Sequence, residues 1–130
     1  MILDSSAIVA VLRAEEDASD YAQAIASASK CRVSAVSYVE SAVVIDSSRD
    51  PVASRRFDDF FRASRIMIEA TTPSQAEIAR QAYRDFGKGR HKAGLNFGDC
   101  FAYALAKEAG ESLLFKGDDF RHTDVEPALS

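Results

Sequence analysis

The chain has 130 residues and a mass of 14.1 kDa, enough for one domain spanning 1–130 and too little for two. Its 47% hydrophobic and 28% charged residues, with six Gly and three Pro, exclude a collagen-like or Gly/Pro-rich disordered chain. Sixteen Lys and Arg against twenty Asp and Glu leave a net charge of -4, which excludes a uniformly basic nucleic-acid coat but not an acidic site that meets phosphate through bound cations.

The longest apolar runs, Ile8–Leu12 and Ala42–Ile45, fall far short of a membrane span, and the start at Met1-Ile2-Leu3-Asp4 lacks the cationic region of a secretory signal. Cys31 and Cys100 are too few for a disulfide scaffold; the composition points to reduced, partly buried thiols and a cytoplasmic protein.

Met1-Ile2-Leu3 reads as a strand, and Asp4-Ser5-Ser6 offers capping groups to a helix ending near Leu12 or Arg13. A second, Ala-rich helix is expected over Glu16–Ala28, followed by a strand over Cys31–Ala35. Ser37 is placed to cap the next helix, with Glu40 at the acidic position of a capping box. Asp50-Pro51 opens a helix carrying Phe57, Phe60 and Phe61, and Arg65–Glu69 reads as a short strand. Thr72-Pro73 starts a helix through Phe86 that Gly87 ends.

The Gly87–Gly94 tract, with Lys88, Arg90, His91 and Lys92, reads as a mobile basic loop. Asn96 caps a helix packed through Phe101, Ala102, Leu105, Ala106 and Ala109 and stopped by Gly110. Ser112–Phe115 reads as a buried strand, then a turn at Lys116–Asp119 and an extended ending near Val125. Strands alternating with helices predict an α/β sandwich on a largely parallel sheet.

In such a fold, ligands bind where strands hand the chain to helices. Asp4, Glu40, Asp99 and Asp118 all fall at or just after such points. Helix capping accounts for any one of the first three; their recurrence at successive strand exits points instead to a shared Mg²⁺ or Mn²⁺, because a hard cation relieves the mutual repulsion of crowded carboxylates. His91 and His122 are isolated, so zinc is not indicated, and no phosphate-binding Gly-rich loop or dinucleotide fingerprint is present. Ser5, Ser6 and Ser37 have neither a nucleophile elbow nor a histidine base; Ser6, two positions after Asp4, suits a role supporting a carboxylate or a bound water.

The segments Met1–Ala7, Ser37–Glu40, Leu95–Ala106 and Leu114–Phe120 together strongly resemble the PIN-domain ribonucleases of the VapC toxin family, and the resemblance spans the chain. It implies a three-layer α/β/α PIN fold and a Mg²⁺- or Mn²⁺-dependent endoribonuclease, a hydrolase leaving 5′-phosphate and 3′-hydroxyl ends. It carries over Asp4, Glu40 and Asp99 as the principal acids and Asp118 as the fourth, with Asp119 an alternative, and makes Ser6 and Asn96 site-adjacent polar residues and Asp124 peripheral. It also implies tRNA or another structured RNA as substrate, a cognate VapB-like antitoxin lying over the Tyr38–Ala63 helices, and a homodimer or a toxin–antitoxin hetero-oligomer. Lys88, Arg90, His91, Lys92, Lys116 and Arg121 are the candidates for phosphate contact. Two other classes remain: a catalytically silent PIN-like protein-binding module, in which the acids are only caps, and a phosphoacceptor signalling domain using Lys116, whose early acidic pair and mid-chain Asp are poorly matched.

Overall fold

The structure, a computed structural model, describes residues 1–129. Four parallel strands, β1 (Ile2–Leu3), β2 (Arg32–Ser34), β3 (Met67–Glu69) and β4 (Leu113–Leu114), lie in the order β3-β2-β1-β4. The register pairs Leu3 with Val33 on one side and with Leu114 on the other. Six helices cover the sheet: α1 (Ser5–Leu12), α2 (Ala18–Ser27), α3 (Ala35–Asp46), α4 (Pro51–Ser64), α5 (Pro73–Phe86) and α6 (Phe97–Ala109). The three-layer α/β/α sandwich expected from the sequence is therefore present.

Alternation along each strand sorts the core into two halves. Ile2 and Leu113 pack with α5 and α6 on one face, while Leu3, Val33 and Leu114 pack with α1 to α4 on the other. All five are fully buried, as expected for the central strands of a parallel sheet covered on both sides. Tyr38, Phe57, Phe60 and Phe61 form a contiguous aromatic cluster, with ring centroids 4.8 to 5.7 Å apart in the contacting pairs, and they tie α3 to α4.

Strands pass into helices with almost no loop. Asp4 follows β1 directly and caps α1, accepting from Ser6 N. Ser34 is both the last residue of β2 and the cap of α3, accepting from Val36 N at 3.2 Å. The helix thus begins two residues before Ser37, which is buried inside it rather than capping it. Glu40 consequently lies beyond the first turn, and the capping-box explanation for it fails. Elsewhere α2 is shorter than expected, and β3 starts at Met67 because Arg65, at φ 54°, closes α4 in a left-handed conformation. Gly110, at φ 65°, closes α6 as expected.

The basic tract is more tightly built than the expected mobile loop. Lys88 N donates to Leu95 O and Leu95 N to Phe86 O, while Arg90 N and His91 N both donate to Gly87 O. Ala93 and Leu95 are buried, because the loop returns the chain to the core at the start of α6. After β4, a 3₁₀ turn at Asp119–His122 leads into a segment that runs back beside the strand, Leu113 N donating to Glu126 O and Ala128 N to Leu113 O.

Candidate active site

Asp4 is only 2% exposed, at the carboxyl end of the central strand β1. Its Oδ2 accepts from Ser6 N at 3.0 Å and from Ser6 Oγ at 2.5 Å, whereas Oδ1 is buried without a partner. Burial raises its pKa, assisted by the charge of Glu40 and opposed by the Ser6 hydrogen bonds. Ser6 Oγ also accepts from Lys116 N at 2.9 Å. One hydroxyl thereby joins the exits of β1 and β4, which makes Ser6 a holder of Asp4.

Glu40 reaches the same region from α3. Its Oε1 accepts from Ser5 Oγ at 2.6 Å, and its other oxygen lies against Gly98 of α6, where a Cβ would stand 2.1 Å from Oε2. Gly98 therefore leaves room for the Glu40 carboxylate to lie against the start of α6.

Asp99 occupies the first turn of α6 in a reciprocal capping box. Its Oδ2 accepts from Asn96 N at 3.0 Å, and Asn96 Oδ1 accepts from Asp99 N at 2.8 Å. The capping reading of Asp99 is thus correct but incomplete. Burial, with the charges of Asp4, Glu40 and Asp119, pushes its carboxyl up to about 7 against the single lowering hydrogen bond from Asn96. A residue serving only as a surface cap has no reason to sit among three other acids.

Asp119, the first residue of the 3₁₀ turn, is the late acid whose charge reaches Asp99; Asp118 precedes it, exposed and without a capping hydrogen bond. Asp4, Glu40, Asp99 and Asp119 thus interact electrostatically from four separate chain segments. Among the described residues, no three His, Cys, Asp or Glu side chains are drawn together closely enough to enclose an ion. Asp4 is buried, Glu40 and Asp99 are half-buried and Asp119 is exposed, so the group runs from the core to the surface. All the donors are carboxylate oxygens, a set suited to Mg²⁺ or Mn²⁺, which keep waters in their shells and need few protein ligands.

The other nominated residues separate into engaged and free. Lys116 Nζ pairs with Glu15 and with Asp17 at 3.1 Å, so it is neutralised within the fold rather than offered to phosphate. Arg121 lies over the Phe115 ring at 5.5 Å and donates to Leu129 O at 3.4 Å. His91 accepts from Ala93 N at 3.0 Å and meets Phe86 edge-on, which makes it a loop brace. Lys88, Arg90 and Lys92 remain exposed, with the Arg90 guanidinium over the Tyr83 ring at 5.4 Å. Cys31 and Cys100 are free and buried, and burial pushes the Cys100 thiol up to about 11, away from a thiolate role. Asp124 accepts from Tyr103 OH at 2.5 Å and Lys107 Nζ at 3.1 Å, pinning the C-terminal segment to α6.

Sequence reasoning did not find Gly98 or the Ser5 contact with Glu40. An isolated Gly inside a helical pattern was the available signal for the first; nothing local marks the second, because Glu40 is 35 residues away.

The PIN domain family model matches residues 1–126. The chain is 54% identical over 130 residues to Ribonuclease VapC28 of Mycobacterium tuberculosis, covering 99% of this chain and 98% of that protein. It is 47% identical over 125 residues to Ribonuclease VapC of Mycolicibacterium smegmatis, covering 96% and 97%. The crystal structure of M. tuberculosis VapC20, a sarcin-ricin loop cleaving toxin, superposes with a TM-score of 0.70 over 97% of this chain and 98% of that one at 19% identity, a likeness of fold. With matches along nearly its whole length, the chain belongs to the VapC ribonucleases of the PIN-domain family.

Proposed function

We propose that this chain is a toxin endoribonuclease that hydrolyses phosphodiester bonds of tRNA or another structured RNA with Mg²⁺, or Mn²⁺ in its place. The observation that carries the reading is the Asp99 carboxyl, raised to about 7 by burial and by acids that arrive from three other chain segments. Such a site is poorly satisfied as it stands and is relieved by a divalent cation. The unpartnered buried Oδ1 of Asp4 and the all-oxygen donor set fit that cation. Asp4, Glu40 and Asp99 would hold it, joined by Asp118 or Asp119; the charge coupling to Asp99 favours Asp119.

When bound, the cation supplies Lewis acidity, lowering the pKa of water and stabilising charge that develops on the phosphoryl oxygens. The chain's own residues orient the carboxylates. Ser6 holds one oxygen of Asp4, Ser5 holds one oxygen of Glu40, and the Asn96 N–H fixes Asp99, leaving the other lone pairs for metal and water. Ser6 thus acts on the catalytic acid Asp4. Lys88, Arg90 and Lys92 bring positive charge to the RNA backbone.

The same reading includes a VapB-like antitoxin that covers the α3–α4 face, where Val39, Val43 and Val52 are exposed, and a homodimer or toxin–antitoxin complex acting in the cytoplasm. No helix among the described residues is long and apolar enough to cross a membrane.

The test compares wild type with Asp99→Asn on end-labelled total RNA in Mg²⁺, in Mn²⁺ and in EDTA, after removal of any copurifying antitoxin. Discrete fragments made only by wild type with metal are expected. Failure to cut RNA or bind metal, with partner binding intact, would leave the silent binding module.

A further inference from the structure

Phe97, the first residue of α6, is 75% exposed. It meets Phe101 at 5.0 Å between centroids and, with Ala79, Arg80, Tyr83 and Cys100, lines an almost wholly apolar pocket of about 360 Å³ between α5 and α6. Tyr83, 43% exposed, lies across the pocket, with the Arg90 guanidinium 5.4 Å from its ring centroid. A large ring left in water at a pocket mouth, when the core lies beneath the same helix, is the kind of apolar exposure that marks a binding site.

Its place in the fold narrows the occupant. Asp99 follows two residues later, about 3 Å along the helix axis. The Asn96–Asp99 capping box draws the Asp99 carboxylate back toward the helix tip. The acid and the pocket therefore flank one tip. The surrounding charge also favours phosphate: Ala76–Lys92 holds Arg80, Arg84, Lys88, Arg90 and Lys92 against Glu77 and Asp85, in a chain of net charge -4. All five cations are exposed. Apolar walls offer a base no hydrogen bonds, so recognition there rests on ring stacking, which is how proteins hold splayed single-stranded bases.

We propose that this pocket receives an unstacked nucleobase of the RNA strand beside the phosphate that is cut, with Phe97 as the stacking face and Arg80 and Arg90 meeting the flanking phosphates. The inference rests on the ribonuclease reading above and deepens it. Stacking tolerates any base and favours purines, so Phe97 is a positioning residue that sets affinity and register with weak sequence preference.

The chain contains no Trp, so Phe97→Trp introduces a single indole reporter. Ten-residue oligoadenylate and oligouridylate RNAs, titrated in Mg²⁺, are expected to quench it, adenylate more strongly. On the RNA found to be cut, Phe97→Leu should raise KM roughly tenfold with kcat little changed, an effect of the size of one stacked base, and Phe97→Trp should restore KM. An abasic nucleotide beside the cut should reproduce the Phe97→Leu defect in wild type and add nothing in the variant. If the indole responds to protein concentration and not to RNA, a second copy covers the pocket and the proposal is overturned. Equal KM for wild type and Phe97→Leu would overturn it as well. Wild type that neither binds nor cuts RNA in Mg²⁺ or Mn²⁺ instead removes the ribonuclease reading itself, and this proposal with it.

Discussion

In the metal-free protein, Asp99→Asn should increase stability at pH 8 and leave it nearly unchanged at pH 4. The carboxyl stands at about 7 in the folded chain against 3.8 without the fold, so the native state binds this proton more tightly than the unfolded state does. Folding stability from this group is full below pH 3.8 and lost as pH rises through 7, the reverse of an acid held by a salt bridge. At about 1.36 kcal/mol per pH unit the shift sets a ceiling of about 4 kcal/mol. Solvent contact of the half-buried side chain screens it to about half. Asn keeps an oxygen for the Asn96 N–H but gives up the attraction of a negative charge for the helix N-terminus, about 0.3–1 kcal/mol. The net gain is about 1 kcal/mol, or a Tm rise of about 3–5 °C for a chain of this size. Urea or thermal unfolding in EDTA across pH 4 to 8 measures it, and repetition in Mg²⁺ should erase or invert the difference. A variant that is less stable than wild type at pH 8 without metal, or a gain that does not change with pH, would refute the electrostatic account of these acids.

Other substitutions separate the site from the scaffold. Gly98→Ala pushes a methyl into the Glu40 carboxylate, whose flexible end can swing away; Mn²⁺ affinity and RNA cleavage should drop at least tenfold, while urea unfolding shifts by less than about 1 kcal/mol. Ser6→Ala takes one hydrogen bond from Asp4 and leaves Lys116 N without its acceptor, so it should cost about 1–3 kcal/mol in chemical denaturation and also weaken cleavage. Tyr103→Phe removes the donor that lowers the Asp124 pKa. The stability this pair contributes is present above the unfolded pKa of 3.8 and is lost as pH falls below it, so the variant should be about 1 kcal/mol less stable at pH 7 and close to wild type in strong acid. Leu3→Ala, under β1 in the core shared with α1 to α4, should cost about 2–5 kcal/mol by thermal unfolding.

These tests also divide the two ways an acid can belong at a helix start. Asp50 caps α4 at the surface, accepting from Val52 N at 2.9 Å, and its replacement should matter only locally. Asp4 and Asp99 do the same capping work, yet burial opposes the ionisation of both, joined by the charge of Glu40 at Asp4 and by those of Asp4, Glu40 and Asp119 at Asp99. A cap does not require that opposition; the cation proposed above would relieve it.

The sequence by itself determined the order and type of nearly all the elements, because β1, β4 and α6 announce themselves through local rules: short apolar runs for strands buried on both faces, Asn96 and Gly110 bounding a periodic helix, Asp50-Pro51 and Thr72-Pro73 opening α4 and α5. It also marked Asp4, Glu40 and Asp99 through the recurrence of acids after strands. Only the tertiary structure decided what those acids do to one another. Ser34 rather than Ser37 caps α3 because β2 turns into the helix without a loop, a detail of chain direction that composition does not carry. That start places Glu40 beyond the first turn, where Ser5 and Gly98 meet it, partners 35 and 58 residues away along the chain. Likewise Lys116, Arg121 and His91 looked available as isolated basic letters, and contacts in the folded chain engage all three, while Phe97 looked like one more helix residue and stands in solvent at a pocket mouth. Local preferences depend on neighbours within a few residues. Charge coupling, exposure and close approach depend on which distant segments the parallel sheet brings to the same edge.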